Sequence, residues 1–192
     1  MRTRLILAKT ATLYRFQIEL SDIDRGVYET LDLRVACHPS EDAARLVVRV
    51  LARVMAHEER LDFGRGLSTA EDAALWTRSL QGEVETWIDV GCPSADRLHR
   101  ASKAANQVRV FTTKGDAMLR KEWSSQPIYR SDEIEVVRLP AKFVDSLTTL
   151  LDRNMQWYVT LNEGAISVAD GEQSFDAPAE RTTVAAVIAA DS

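Results

Sequence analysis

VETWIDVG (residues 84–91) runs into CPSAD (92–96) and, a dozen residues later, into QVRVFTT (107–113). The first stretch alternates with period two and is rich in β-branched and aromatic residues, which predicts a strand. Ser94 is a good N-cap and Asp96 places a negative charge in the first turn, so a helix follows through about Asn106. QVRVFTT then reads as a second strand. A strand, helix, strand succession requires a crossover and hence a parallel pair. The expected class is α/β, with a mixed sheet flanked by helices.

Working outward, residues 12–20 and 27–36 both alternate, and Ser-Asp-Ile-Asp-Arg-Gly between them supplies turn chemistry, which predicts an N-terminal β-hairpin. Pro39-Ser40-Glu41-Asp42 then opens a helix whose body, AARLVVRVLARVMA, is apolar except for Arg45, Arg49 and Arg53. Arginines four apart form one stripe, and the remainder of that helix must be buried. RLDFGRGL (60–67) reads as a short strand, and residues 72–80 as either a strand or a short helix. Downstream, helices are expected over 115–125 and 141–153, a strand over 134–140, and a C-terminal hairpin turning at Asn162-Glu163-Gly164. With only 8 Gly and 5 Pro in 192 residues, little of the chain is linker, and one α/β domain over 1–192 is expected.

The formal net charge of −5 is unevenly distributed. Residues 131–192 carry 4 basic and 11 acidic side chains, whereas Arg97 to Lys121 contains seven basic residues and one acid. That stretch is either a solvated surface or a wall that tracks phosphates. The acidic total excludes a generally basic nucleic-acid coat but leaves room for a local groove. Two cysteines without CxxC spacing suit a reducing compartment, and the apolar runs are too short to span a bilayer. A cytoplasmic chain with no membrane partner is therefore expected.

The chemistry-bearing residues cluster around residue 89. Alternation puts Glu85, Trp87, Asp89 and Gly91 on one face of their strand, with Glu85 and Asp89 roughly 13 Å apart, too far to share a metal ion. If residues 72–80 are a strand turning at Gln81-Gly82, Asp89 lies opposite Ala74 and Asp72 opposite Gly91. Asp72 is then a diagonal neighbour of Asp89, close enough for two carboxylates to clamp a divalent cation. The competing reading is that Asp89 or Glu85 simply forms an ion pair with an arginine such as Arg78, which the same register sets opposite Glu85. His38, His57 and His99 have no ligand spacing, and the four tryptophans are spread as core residues would be. Cys92, beside Pro93 at a helix start, is either a lowered-pKa thiol or an inert half-buried one.

CHPSED (37–42), LDFGRGLS (61–68) followed by an acid and Leu75-Trp76, WIDVGCP (87–93) and RASKAA (100–105) together resemble the YaeQ family of bacterial proteins, over nearly the whole chain. The resemblance implies a variant of the PD-(D/E)XK, restriction-endonuclease-like fold, with a nuclease-like core over 37–113, an N-terminal hairpin, and a C-terminal hairpin and tail over 155–180. It further implies a nuclease or phosphodiesterase acting on nucleic acid with Mg²⁺ or Mn²⁺. Asp72 and Asp89 would hold the metal, and Glu41 would be the acid of the first helix. Gly91 stands where that motif carries lysine. Lys103 from the following helix is the substitute, and its level on the strand opens a second frame in which Glu85 is the metal acid. The alternative is a non-catalytic module that binds nucleic acid, through Arg97, Arg100 and Lys114, or binds a transcription-associated protein.

Overall fold

The computed structural model describes residues 11–65 and 71–190. Residues 66–67 of the strand expected over 60–67, and the N-terminal stretch before residue 11, lie outside them. The elements are β1 (Thr12–Asp22), β2 (Val27–Cys37), α1 (Ala43–Met55), β3 (Asp62–Phe63), β4 (Leu75–Arg78), β5 (Val84–Val90), α2 (Ala95–Ala104) and β6 (Ala105–Thr112). Then come α3 (Asp116–Trp123), β7 (Glu135–Arg138), α4 (Ala141–Thr148), β8 (Asn154–Asn162), β9 (Ala165–Ala169), β10 (Ser174–Pro178), β11 (Glu180–Thr183) and α5 (Val184–Ala189). No helix among the described residues is long and apolar enough to cross a membrane.

The strands form two mixed sheets. One has the order β10-β9-β8-β1-β2, the other β11-β7-β6-β5-β4-β3. Between them lie α1 and α4. Phe16, Ile18 and Leu20 of β1, the apolar side of α1, and Ile88 and Val90 of β5 share one core. The opposite face of the six-stranded sheet, with Val108, Val110 and Val136, packs against Leu98 of α2, Leu119 and Trp123 of α3, and Val187 of α5. Helix α1 is therefore buried on two sides, which is why a sequence so apolar around its circumference forms it. Its arginines are not a solvated stripe. Arg49 is only 3% exposed, donating from Nε and Nη2 to the Glu41 carboxylate at 2.7 and 2.8 Å and from Nη2 to Ala36 O at 2.8 Å.

The parallel pairing of β5 and β6 is present, as is antiparallel pairing of β4 with β5. Residues 75–78 are thus a strand, with Leu75 opposite Ile88 and Trp76 opposite Trp87, the register that the Gln81-Gly82 turn predicts. A bulge between Thr77 and Arg78 ends that register, so Arg78 sits opposite Val84 and not Glu85. Glu85 instead has Arg60 at 3.6 Å. Two further corrections concern helix ends. The first helix starts at Ala43 with Asp42 as its N-cap, accepting from the Arg45 N–H, so Glu41 precedes the helix. The helix expected over 141–153 stops at Thr148, where Leu150 and Leu151 turn inward to the core. The C-terminal hairpin is β8–β9, with Glu163 and Gly164 both at positive φ in its turn. β8 pairs in parallel with β1, joining the two terminal hairpins into one sheet.

Candidate functional site

Asp89 is 3% exposed on the α2 face of the six-stranded sheet. The turn Gly91-Cys92-Pro93 reverses the chain, Ser94 caps α2 by accepting from the Arg97 N–H, and the first turn of α2 is carried back over the strand end. Arg97 consequently meets Asp89. Its Nε and Nη2 donate to the two carboxylate oxygens at 2.7 and 2.6 Å, and Nη2 also donates to the Asp72 carbonyl at 2.6 Å. A bidentate guanidinium and carboxylate pair in a site this dry is a strong, geometrically fixed contact. The same guanidinium lies 5.4 Å from the Trp87 ring centroid. Trp87 packs edge-on against Trp76, and Arg78 lies 4.0 Å over Trp76. The α2 side of β4 and β5 is therefore an alternating run of cation, ring, ring and cation.

The other candidate acids are also paired with arginine. The Asp72 carboxylate accepts from Arg65 Nε and Nη2 at 2.7 and 3.2 Å, and that hydrogen bond holds its carboxyl below the ordinary range. Glu41 is held by Arg49 on the α1 side of the sheet, the face away from Asp89. Among the described residues no three of His, Cys, Asp and Glu converge on a point that could hold a metal ion. An arginine cannot give up its proton, so each of these carboxylates faces a permanent cation. As arranged, the donor set does not fit a divalent ion. Lys103 is exposed in the last turn of α2, and the next residues start β6, where Ala105 pairs with Val84. That places it roughly 17 Å down the strand from Asp89.

Gly91 has φ +95, a backbone that L side chains rarely adopt, and it follows the last residue of β5. A lysine at this position would be strained whatever the surrounding space. Next to it is a cleft of about 240 Å³ outside the carboxyl ends of the parallel strands β5 and β6, a usual place for a ligand in an open α/β sheet. Asp42, Arg45, Cys92, Thr113 and Lys114 are among the residues that line it. Arg45 Nη1 donates to Val90 O at 2.6 Å, and its buried Nε lies 3.6 Å from a Glu41 carboxylate oxygen, an ion pair without a hydrogen bond. Lys114 has no ion pair among the described residues. Cys92 is not an activated thiol, because burial and then Glu122 raise its pKa. Of the three cations expected to track phosphates, Arg97 is bound to Asp89, Arg100 pairs with Asp96 at 3.0 Å on the surface, and Lys114 lines this cleft.

Residues 7–178 match the family described as YaeQ protein. The chain belongs to the YaeQ family. Among YaeQ proteins it is similar to the uncharacterized protein of Salmonella typhi, with 29% identity over 175 residues, covering 88% of this chain and 94% of that one. The Escherichia coli (strain K12) YaeQ protein is 28% identical over the same shares. The crystal structure of the Xanthomonas axonopodis pv. citri YaeQ protein superposes with a TM-score of 0.83 at 32% identity, covering 90% of this chain and 98% of that one. The Pseudomonas syringae YaeQ structure gives 0.82 at 31%, covering 90% and 96%. The two-sheet YaeQ architecture is thus shared.

What the sequence did not disclose was the partner of Asp89. Arg97 reads as one cation among seven in a basic stretch, yet its position in the first turn after a tight reversal is the signal that it folds back on the strand.

Proposed function

We propose that the chain is a non-catalytic binding module for phosphate-bearing partners, nucleic acid first, built on a degenerate form of the nuclease-like scaffold. The order α1, three antiparallel strands β3-β4-β5, α2, β6 supports the scaffold half of this reading. The observation that carries the rest is the position of Arg97. One guanidinium nitrogen lies 2.6 Å from both a main-chain carbonyl and a buried carboxylate, filling with a fixed organic cation the place where hydrolytic chemistry would need an exchangeable one. The left-handed backbone at Gly91, relaxed for glycine, points the same way, since it disfavours the lysine that such chemistry uses to stabilise developing charge. Binding is assigned to the cleft beside Gly91, where the Lys114 ammonium, with the Glu41-paired Arg45 beside it, supplies positive charge at the carboxyl ends of β5 and β6.

Fluorescence anisotropy with labelled single- and double-stranded DNA and RNA tests this reading, in Mg²⁺, Mn²⁺ and EDTA and across a salt series. Affinity is expected to be the same with and without metal, the probe to stay intact, and Lys114→Gln to reduce the salt slope by about one. A salt-independent partner would assign the module to protein binding instead. Metal-dependent cleavage lost in Asp89→Ala would overturn the proposal.

A further inference from the structure

The outer face of the five-stranded sheet presents three polar rows, set by the ladder registers of β2, β1 and β8. The first is Arg34, Arg15, Asn154; the second Asp32, Gln17, Gln156; the third Thr30, Glu19, Tyr158. A cleft of about 420 Å³ lies over part of this surface, lined by Arg15, Gln17, Thr30, Asp32, Asn154, Met155 and Gln156, and Arg34, opposite Arg15 on β2, stands outside that lining. Within the third row Thr30 Oγ1 donates to Glu19 at 2.9 Å, and Gln156 Nε2 reaches across from the second to the Tyr158 hydroxyl at 3.1 Å. The first row has no such internal pairing. Arg15 and Arg34 lie directly opposite one another on neighbouring strands, both exposed, and neither has an acidic partner among the described residues. Like charges in that position repel, and the packing of the inner face does not require them.

We infer that this face binds a phosphorylated nucleoside, with the phosphate between Arg15 and Arg34 and the sugar or base edge over Asp32, Gln17 and Gln156. Two opposed guanidinium groups complement a dianionic phosphate, whose oxygens accept from both. The second row, about 7 Å along the strands, offers a carboxylate acceptor and two amides able to donate and accept, which suits ribose hydroxyls and base edges rather than a second phosphate. The cleft volume falls in the range of small-ligand sites and suits one nucleotide unit. This site lies on the other sheet from the Lys114 cleft and does not rest on the function proposed above.

Isothermal titration with 5′-AMP, 5′-UMP, adenosine and inorganic phosphate, on the full chain and on Arg15→Gln, Arg34→Gln, Asp32→Asn and Lys114→Gln, tests the inference. All four substitutions are at exposed or cleft-lining positions, and circular dichroism checks that each variant folds. A nucleotide is expected to bind at least about tenfold more tightly than adenosine or phosphate alone, and each arginine variant to lose about tenfold or more. Asp32→Asn should weaken nucleotide but not phosphate, and Lys114→Gln should leave binding unchanged. No binding of either nucleotide at millimolar concentration overturns the inference. So does phosphate binding as tightly as nucleotide, or a loss confined to Lys114→Gln, which would assign the ligand to the other cleft.

Discussion

Arg97→Ala removes the cation from a carboxylate that is 4% exposed at its side chain, while Arg97 itself is 21% exposed. Deleting one partner of a buried ion pair costs about 3–5 kcal/mol, because the remaining charge has neither water nor counter-ion. The partial exposure of Arg97 puts the expected loss at the lower end, about 3 kcal/mol. For a chain of this size each kcal/mol shifts Tm by about 2–4 °C, so the variant should melt about 6–12 °C lower. Urea unfolding should show a reduced midpoint with an unchanged slope, since the surface exposed on unfolding is the same. The double variant Asp89→Leu/Arg97→Met replaces both charges with apolar groups and should recover most of the loss, because a buried pair is often no more stabilising than well-packed hydrophobic residues. The reasoning fails if Arg97→Ala costs less than about 1 kcal/mol, or if the double variant loses the sum of the two single effects, which would mean the two residues are not coupled.

Glu41→Gln should destabilise on the same grounds, by about 3–5 kcal/mol, because Arg49 is buried and its two contacts to Glu41 are charge-assisted; chemical denaturation reads this directly. Gly64→Ala should cost several kcal/mol, since its Cβ would lie 2.0 Å from the Ala73 carbonyl oxygen, and backbone rather than a flexible side chain must yield; loss of soluble expression or a fall in Tm checks it. His57 has its pKa lowered from 6.5 by burial first and by Arg53 next, so the unfolded chain binds the proton more readily than the folded one. Stability should therefore fall as pH drops through 6.5 toward the folded value, and His57→Gln should flatten that slope in a pH series of thermal melts. Asp72 acts in the same sense at lower pH: held below 3.8 by Arg65, it contributes stability that is present above that value and lost as pH falls through the lower folded value, a dependence that Arg65→Gln should remove.

The parallel β5–β6 pair, the first hairpin and the hairpin at Glu163-Gly164 were legible, because each rests on local signals: alternation, a capped helix start or a turn that tolerates positive φ. The β4–β5 register followed only on the condition that residues 72–80 form a strand, which the sequence left open against a helix, and a bulge at Thr77/Arg78 ends it. The pairing of β1 with β8 was not, since it joins strands more than 130 residues apart and nothing local specifies it. The short elements β10, β11 and α5 escaped notice for a related reason: Ser174–Pro178 and Glu180–Thr183 are too brief and polar to declare a period. At the candidate site, the spacing that made Asp72 a neighbour of Asp89 brings the Asp72 main-chain carbonyl and the Asp89 carboxylate to the same Arg97 guanidinium. Side-chain direction decided otherwise for the Asp72 carboxylate, which faces Arg65. Glu41 read as a helix-start acid, yet the helix begins only after the Asp42 N-cap, and Glu41 turns inward to Arg49, on the far side of the sheet.

The most direct measurement is a calorimetric titration of the wild-type chain and of Arg97→Ala with Mn²⁺, run beside a cleavage assay on single- and double-stranded substrates. Wild type should take up no Mn²⁺ and leave every substrate intact, because Arg97 already satisfies Asp89 and the Asp72 carbonyl. Stoichiometric Mn²⁺ uptake by wild type, accompanied by metal-dependent cleavage that Asp89→Ala abolishes, would contradict it.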